Sequence, residues 1–344
     1  MPAATYSVTD MHTAGEPVRI VTGGYPRLEG RTILEKRRDA RTRRDHIRRV
    51  LMLEPRGHEG MYGVIPTEPC HPLADLAVLF MHNDGYSTMC GHATIAIGRW
   101  AVESGRVPRH GEVTRFHLEA PCGLLNVESH LRGGKVVYSS FESVPSFASH
   151  FDCRLDVPGI GPLTFDIAYG GAFYAIIPAS QLGLSFWSAP LPQLVEAGTL
   201  ITAAARAAIP IHHPDELDLG FLYGTILTDD AVAGTDQPTY NLCVFAEGQI
   251  DRSPTGSGAT ARMALDCARG RIRAGQEREF RGVSGVGFKA VISESAGRGL
   301  DARTRVRVGG AASFSGTAEF VIEEDDPLRE GFQLPRCFDD LRRA

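Results

Sequence analysis

The sequence predicts an α/β protein, in the mixed α+β sense, built by duplication of one unit. Three observations predict it. The first is a repeated helix signature: Met89-Cys90-Gly91-His92-Ala93-Thr94, and Pro254-Thr255-Gly256-Ser257-Gly258-Ala259 with Thr255 lying 165 residues beyond Cys90. The second is a set of short β-rich runs separated by Gly and Pro. The third is their order: strand, helix, strand, signature helix and strands, followed by roughly that order again, which indicates paired lobes and not a solenoid.

Taken in order, Val18-Arg19-Ile20-Val21 follows the turn-like Ala14-Gly15-Glu16-Pro17 and reads as a strand. A helix is expected within about 42–53, and Leu76-Ala77-Val78-Leu79-Phe80 reads as a buried strand. After Cys90, Ala93, Ala96, Ile97, Trp100 and Ala101 form one apolar stripe of helical period. Gly105, fifteen residues past Cys90, suits the left-handed position that ends a helix. Val136-Val137-Tyr138 after Gly133-Gly134, and Phe173-Tyr174-Ala175-Ile176-Ile177 after Gly170-Gly171, read as strands. A helix is expected within about 191–208 and a strand over Leu242-Cys243-Val244-Phe245-Ala246. After Thr255 the stripe recurs at Ala261, Ala264, Leu265 and Ala268, and Gly270 again stands fifteen residues on. Lys289-Ala290-Val291-Ile292 and Thr304-Arg305-Val306-Arg307-Val308 complete the pattern. Gly and Pro cluster at Pro158-Gly159-Ile160-Gly161-Pro162, so the seam is expected there. That gives an N-terminal lobe over 1–160, completed by a returning segment of about 318–344, and a C-terminal lobe over 161–317. The charged tail from Asp325, with Pro327 and Pro335, reads as surface.

A chain of 344 residues suffices for two ordinary lobes with a core in each. Net charge of −5 and a pI near 6.2 argue against nucleic acid or an anionic membrane as partner. No apolar run approaches the roughly 18 residues of a membrane span, and 1–10 lacks the basic-then-apolar pattern of a secretory signal. Seven cysteines, an odd number without tight spacing, suit reduced thiols, so a cytoplasmic location is expected. The basic stretch Arg31 to Arg49 is interleaved with Glu35, Asp39 and Asp45 and reads as a solvated helix face. His58-Glu59 fails the metalloprotease pattern because position 62 is Tyr, and no C-x-x-C exists, so no metal is expected.

The chemistry concentrates at the two signatures. A lone Cys is most often a small buried hydrophobe. Cys90 instead stands at an expected helix start beside Gly91 and His92, where the helix dipole is expected to favour the thiolate. His92 reads either as a locally satisfied side chain or as a contact to ligand or thiolate. Asp251-Arg252-Ser253-Pro254-Thr255-Gly256-Ser257-Gly258 could be a plain turn with Thr255 as helix cap. It lacks the Lys of a phosphate loop, so nucleotide binding is not expected. Its small residues leave backbone N–H groups open to a carboxylate, and Asp251 could accept from a ligand ammonium. Two such helix ends, facing each other, would form an anion site with a reactive group on either flank.

These segments resemble the proline racemase family, together with Met11-His12-Thr13-Ala14-Gly15-Glu16-Pro17-Val18-Arg19-Ile20-Val21, Glu54-Pro55-Arg56-Gly57-His58 and Ala168-Tyr169-Gly170-Gly171-Ala172-Phe173-Tyr174. The resemblance covers nearly the whole chain. It implies two pseudo-symmetric lobes of the diaminopimelate-epimerase type, each a curved sheet around a central helix, with the site in the cleft between. It also implies no cofactor, neither metal nor pyridoxal phosphate, a small-molecule substrate and a homodimer. Racemases and 4-hydroxyproline epimerases of the family have Cys at both helix ends, whereas this chain has Thr255 at the second. The Cys/Thr pair is similar to the branch that dehydrates trans-3-hydroxy-L-proline. Carried over, Cys90 is the proton acceptor, Thr255 stands where the second base would be, and Gly91, His92, Asp251, Gly256 and Ser257 contact substrate.

Two-base racemisation needs a thiol on each face of Cα. Elimination from trans-3-hydroxy-L-proline does not, because its hydroxyl lies on the same ring face as the α-hydrogen. One thiol could take that proton and then protonate the leaving hydroxyl. Three functions therefore stand open on sequence: this hydro-lyase reaction, an epimerase or racemase of 4-hydroxyproline or proline with water or Thr255 as second acid, and a non-catalytic imino-acid binding protein.

Overall fold

The computed structural model describes residues 2–335 except 232, 234 and 236. The first unit contains β1 (Pro2–Thr13), β2 (Glu16–Gly23), α1 (Ile33–Arg43), α2 (Asp45–Met52), β3 (Tyr62–Thr67), β4 (Leu76–His82), α3 (Gly91–Glu103), β5 (Val113–Ala120), β6 (Gly123–Arg132) and β7 (Lys135–Glu142). The second contains β8 (Phe147–Val157), β9 (Gly161–Tyr169), β10 (Phe173–Pro178), α4 (Leu191–Ala208), β11 (Leu222–Thr228), β12 (Thr239–Phe245), β13 (Gln249–Ile250), α5 (Gly256–Ala268), β14 (Glu277–Arg281), β15 (Gly287–Ala296) and β16 (Arg303–Gly310). The last strand is β17 (Ala312–Glu323). Among the described residues no helix is long and apolar enough to cross a membrane.

The duplication is visible in the pairing. In the first unit β1–β2 is antiparallel, β2–β3 parallel, β3–β4 antiparallel, β4–β5 parallel, and β5–β6–β7 antiparallel. The second unit repeats that series: β9–β10 antiparallel, β10–β11 parallel, β11–β12 antiparallel, β12–β14 parallel, and β14–β15–β16 antiparallel. β8 pairs with β9 as β17 pairs with β1, both antiparallel, and β16 pairs with β7 to join the units.

The seam differs from the one expected. The hairpin turn between β8 and β9 is formed by residues 158–160, closed by Ile160 N–H donating to the Val157 carbonyl at 2.9 Å. Sheet pairing therefore assigns 147–157 to the second unit, and the chain changes units between β7 and β8. The return to the first unit begins with β17 at Ala312, and the part of the tail beyond 335 lies outside the described residues. A tight hairpin and a linker draw on the same Gly and Pro, so composition alone does not separate them.

Each central helix is buried nearly all round. In α3, Ala93, Ala96, Ala101 and Val102 are fully buried, and small residues let the sheet close in. At Gly98 an added Cβ would meet the Ser139 side chain at 2.8 Å, and the Ser129 hydroxyl donates to the Gly98 carbonyl at 2.8 Å. Gly105 and Gly270 both have positive φ, +75° and +71°, and follow the terminal residues Ser104 and Arg269 as the sequence suggests.

The basic stretch differs from expectation as well. The helix begins at Ile33, capped by Thr32, whose hydroxyl accepts from Glu35 N–H at 3.2 Å. Three of its cations are buried and donate to backbone carbonyls: Lys36 to Glu68, Arg37 to Tyr86, and Arg48 to His82. Long apolar stems allow such side chains to pack inward where a carbonyl meets the head group.

Candidate active site

The N-termini of α3 and α5 meet end to end. A Cβ added at Gly91 would stand 2.4 Å from Gly256 Cα, and one added at Gly256 would stand 2.7 Å from Gly91 Cα. Only glycine allows this approach. It brings the unpaired N–H groups of both first turns to one point. Cys90, Gly91, His92, Asp251, Thr255, Gly256 and Ser257 all border a single chamber there. Its free space is about 20 Å³, room for about one water.

The surrounding strands hold both ends in place. The Thr13 hydroxyl donates to the His92 carbonyl at 2.9 Å, and Asn241 Nδ2 donates to the Pro254 carbonyl at 2.7 Å. Arg252 ties the second helix end to the first unit. Its N–H and Nη1 donate to Glu16 Oε2 at 2.7 and 3.3 Å, and its Nη1 donates to the Gly60 carbonyl at 2.7 Å.

Cys90 caps α3: Ala93 N–H donates to its sulfur at 3.4 Å. His92 Nδ1 lies 3.1 Å from the same sulfur and 3.8 Å from Asp251 Oδ2. The expected lowering of the thiol pKa by the helix end does not prevail. Burial pushes the Cys90 thiol well above its ordinary value, with Asp251 and Glu16 adding to the shift and the Ala93 N–H and Tyr62 hydroxyl opposing it. At this buried position, loss of hydration of the charged form outweighs the dipole. Burial also lowers the His92 pKa, against Asp251 and a hydrogen bond to the Pro17 carbonyl. The resting pair is therefore a neutral thiol beside a neutral imidazole.

Thr255 precedes α5 in a left-handed conformation, φ +60°, which is rare for a β-branched residue. Its side chain makes no capping hydrogen bond, so a plain cap does not account for it. Among the described residues its buried hydroxyl has no conventional hydrogen-bond partner; it partly opposes the strong upward push that burial gives the Cys243 thiol. Asp251 Oδ1 accepts from Ser253 N–H at 2.8 Å, and the Ser253 hydroxyl accepts from Thr255 N–H at 3.1 Å, so the loop folds on itself. The Ser257 hydroxyl lies 2.7 Å from that of Tyr174.

Six further side chains border the chamber without having been singled out by sequence reasoning: Glu16, Tyr62, Tyr174, Tyr223, Cys243 and Phe245. Glu16 and Tyr174 stand inside motifs quoted above for their resemblance, which was their only signal. Cys243 and Phe245 read as ordinary strand residues, and Tyr62 and Tyr223 carried no signal. Tyr223 and Phe245 stack with ring centroids 5.4 Å apart and wall the chamber on the side of the second unit.

Comparison with known proteins was consistent across sequence and structure. The profile described as proline racemase matches residues 8–333. The chain is 49% identical to the human protein named trans-3-hydroxy-L-proline dehydratase, covering 95% of this chain and 94% of that one. It is 42% identical to the protein of the same name from Colwellia psychrerythraea, covering 96% and 93%. Among solved structures it superposes with TM-score 0.90 on a hydroxyproline epimerase from Agrobacterium vitis with bound trans-4-OH-L-proline, at 27% identity over 97% of this chain and 96% of that one.

Proposed function

The chain belongs to the proline racemase family, and on that premise we propose that it dehydrates trans-3-hydroxy-L-proline. The supporting observation is the unequal pair of helix ends: a thiol at Cys90 and, at the matching position, a hydroxyl at Thr255. The names of the relatives at 42–49% identity support the same substrate.

In this mechanism the substrate carboxylate sits on the N–H groups of Gly91, His92, Gly256 and Ser257. There it is stabilised as it gains enolate character during loss of the α-proton, each such donor being worth typically about 3 kcal/mol. The ring ammonium pairs with Asp251. That pairing removes the negative charge which helps keep Cys90 protonated, so binding itself favours the thiolate. His92, 3.1 Å from the sulfur, is placed to take the thiol proton. The Cys90 thiolate then removes the α-proton, and the C3 hydroxyl leaves from the same ring face. Thr255 borders the opposite face and needs no protonation role. The product, Δ2-pyrroline-2-carboxylate, tautomerises to Δ1-pyrroline-2-carboxylate. Because the chamber holds about one water, substrate entry requires the helix ends to part and close again.

Incubation with trans-3-hydroxy-L-proline should yield one equivalent of a cyclic imine that borohydride reduces to proline. Formation of an epimer in place of the imine would replace this reading with epimerisation. Turnover of neither kind would favour an imino-acid binding protein.

A further inference from the structure

We propose that Glu16 is the acid that protonates the departing C3 hydroxyl, an assignment that rests on the dehydration reading above and completes it. Glu16 opens β2 and is fully buried, and its carboxyl borders the same chamber as Cys90 and Asp251. Its two oxygens are in different situations. Oε2 accepts twice from Arg252, which is itself pinned to the Gly60 carbonyl. Oε1 is buried with no hydrogen-bond partner among the described residues. A buried carboxylate oxygen without a donor is costly, and a proton on Oε1 turns it into a donor.

Electrostatics points the same way. Burial, reinforced by Asp251 and opposed by Arg252, pushes this carboxyl well above the usual carboxylate range, which favours the protonated form that the step needs. Its position suits the task too: Glu16 pairs across the β1–β2 hairpin with Thr13, whose hydroxyl holds the His92 carbonyl, so it stands in the unit that carries Cys90 and borders the same chamber. A carboxylic acid is also intrinsically a stronger proton donor than a thiol, with ordinary pKa values of about 4.3 and about 8.5. Glu16 thereby relieves Cys90 of serving both as base and as acid.

The step balances. The Cys90 thiolate gains the α-proton, and the Cα–H electron pair becomes the Cα=C3 bond as the C3–O bond breaks. Glu16 Oε1 gives its proton to the departing oxygen, so water leaves and Glu16 is left as carboxylate. Cys90 keeps the α-proton as its thiol proton, and the cycle closes when the proton that His92 took from the thiol passes to Glu16, with no net change.

Glu16→Gln tests this while preserving the shape and an acceptor for Arg252. Two rates are compared in D2O: imine formation from trans-3-hydroxy-L-proline, and uptake of deuterium at Cα of the same compound. The variant should lose dehydration by about a hundredfold or more, the usual scale of acid catalysis, while α-exchange persists. Dehydration retained within a few-fold overturns the assignment, as does loss of both rates in a protein whose circular dichroism matches the wild type. If wild type itself forms no imine, the dehydration reading falls and this assignment with it. Should Glu16→Gln not fold, the wild-type pH profiles decide: dehydration should fall towards high pH as Glu16 ionises while α-exchange does not. Parallel profiles would overturn the proposal.

Discussion

Burial, more than the helix dipole, sets the resting state of Cys90. Its thiol is held protonated by desolvation first, and then by the Asp251 charge. Removing the Asp251 charge should therefore lower the thiol pKa. In Asp251→Asn the pH profile of iodoacetamide inactivation should shift to lower pH, and an unshifted profile would remove Asp251 from the neighbourhood that controls the thiol. The same variant should bind substrate more weakly by roughly 1.5–3 kcal/mol, the scale of a lost charge-assisted hydrogen bond, read as a raised KM. Cys90→Ser should abolish dehydration without unfolding, whereas a folded variant keeping more than a few per cent of activity would exclude Cys90 as the base. The sequence made Cys90, Thr255 and Asp251 legible because each stands beside a glycine-rich helix start. Glu16 and Cys243 were not legible as site residues. Glu16 meets the loop before the second helix through Arg252, 236 residues further along the chain, and Cys243 lies mid-strand in β12, where a small buried side chain reads as core.

At the scale of elements, the two signature helices were the clearest feature of the sequence, since period, opener and closing glycine are all local. The same locality explains the failures. A hairpin turn at 158–160 carries the composition of a linker, and the burial of Lys36, Arg37 and Arg48 depends on carbonyls supplied by β4 and by the loops after β3 and β4. The point most sensitive to substitution is the contact of the helix ends. A methyl at Gly91 would fall 2.4 Å from backbone, which no rotamer change can relieve. Gly91→Ala should force the two N-termini apart, destabilise the fold by about 1–3 kcal/mol and raise KM steeply. Calorimetry together with kinetics checks this, and a variant with wild-type Tm and KM would show that the helix ends do not act jointly on substrate. Gly105→Ala serves as a contrast. The added methyl meets nothing within 4 Å, so only the φ of +75° opposes it and the site should be unaffected.

At the scale of the whole molecule, the repeated order of elements foretold a duplicated unit, and the matching series of parallel and antiparallel pairs carries it into three dimensions. A returning segment of about 318–344 was expected to complete the N-terminal lobe, and β17 pairs antiparallel with β1 from Ala312 onward, joining opposite ends of the chain. Ending the chain after Gly310 should leave β1 without its outer neighbour and abolish cooperative unfolding of the first unit. A sharp transition with native near-ultraviolet circular dichroism would contradict this. The central claim is that the duplication sets two reactive positions on opposite faces of one ring, and that Thr255 in place of a second thiol turns racemisation chemistry into elimination. The most direct measurement is the fate of L-proline, which has no leaving group, when incubated in D2O with Thr255→Cys and with wild type. The account predicts α-deuterated D-proline from the variant and no inversion by wild type, while the variant still dehydrates trans-3-hydroxy-L-proline at a reduced rate. Inversion by wild type at the rate of the variant, or a variant that dehydrates the 3-hydroxy compound yet incorporates no deuterium into proline, would contradict it.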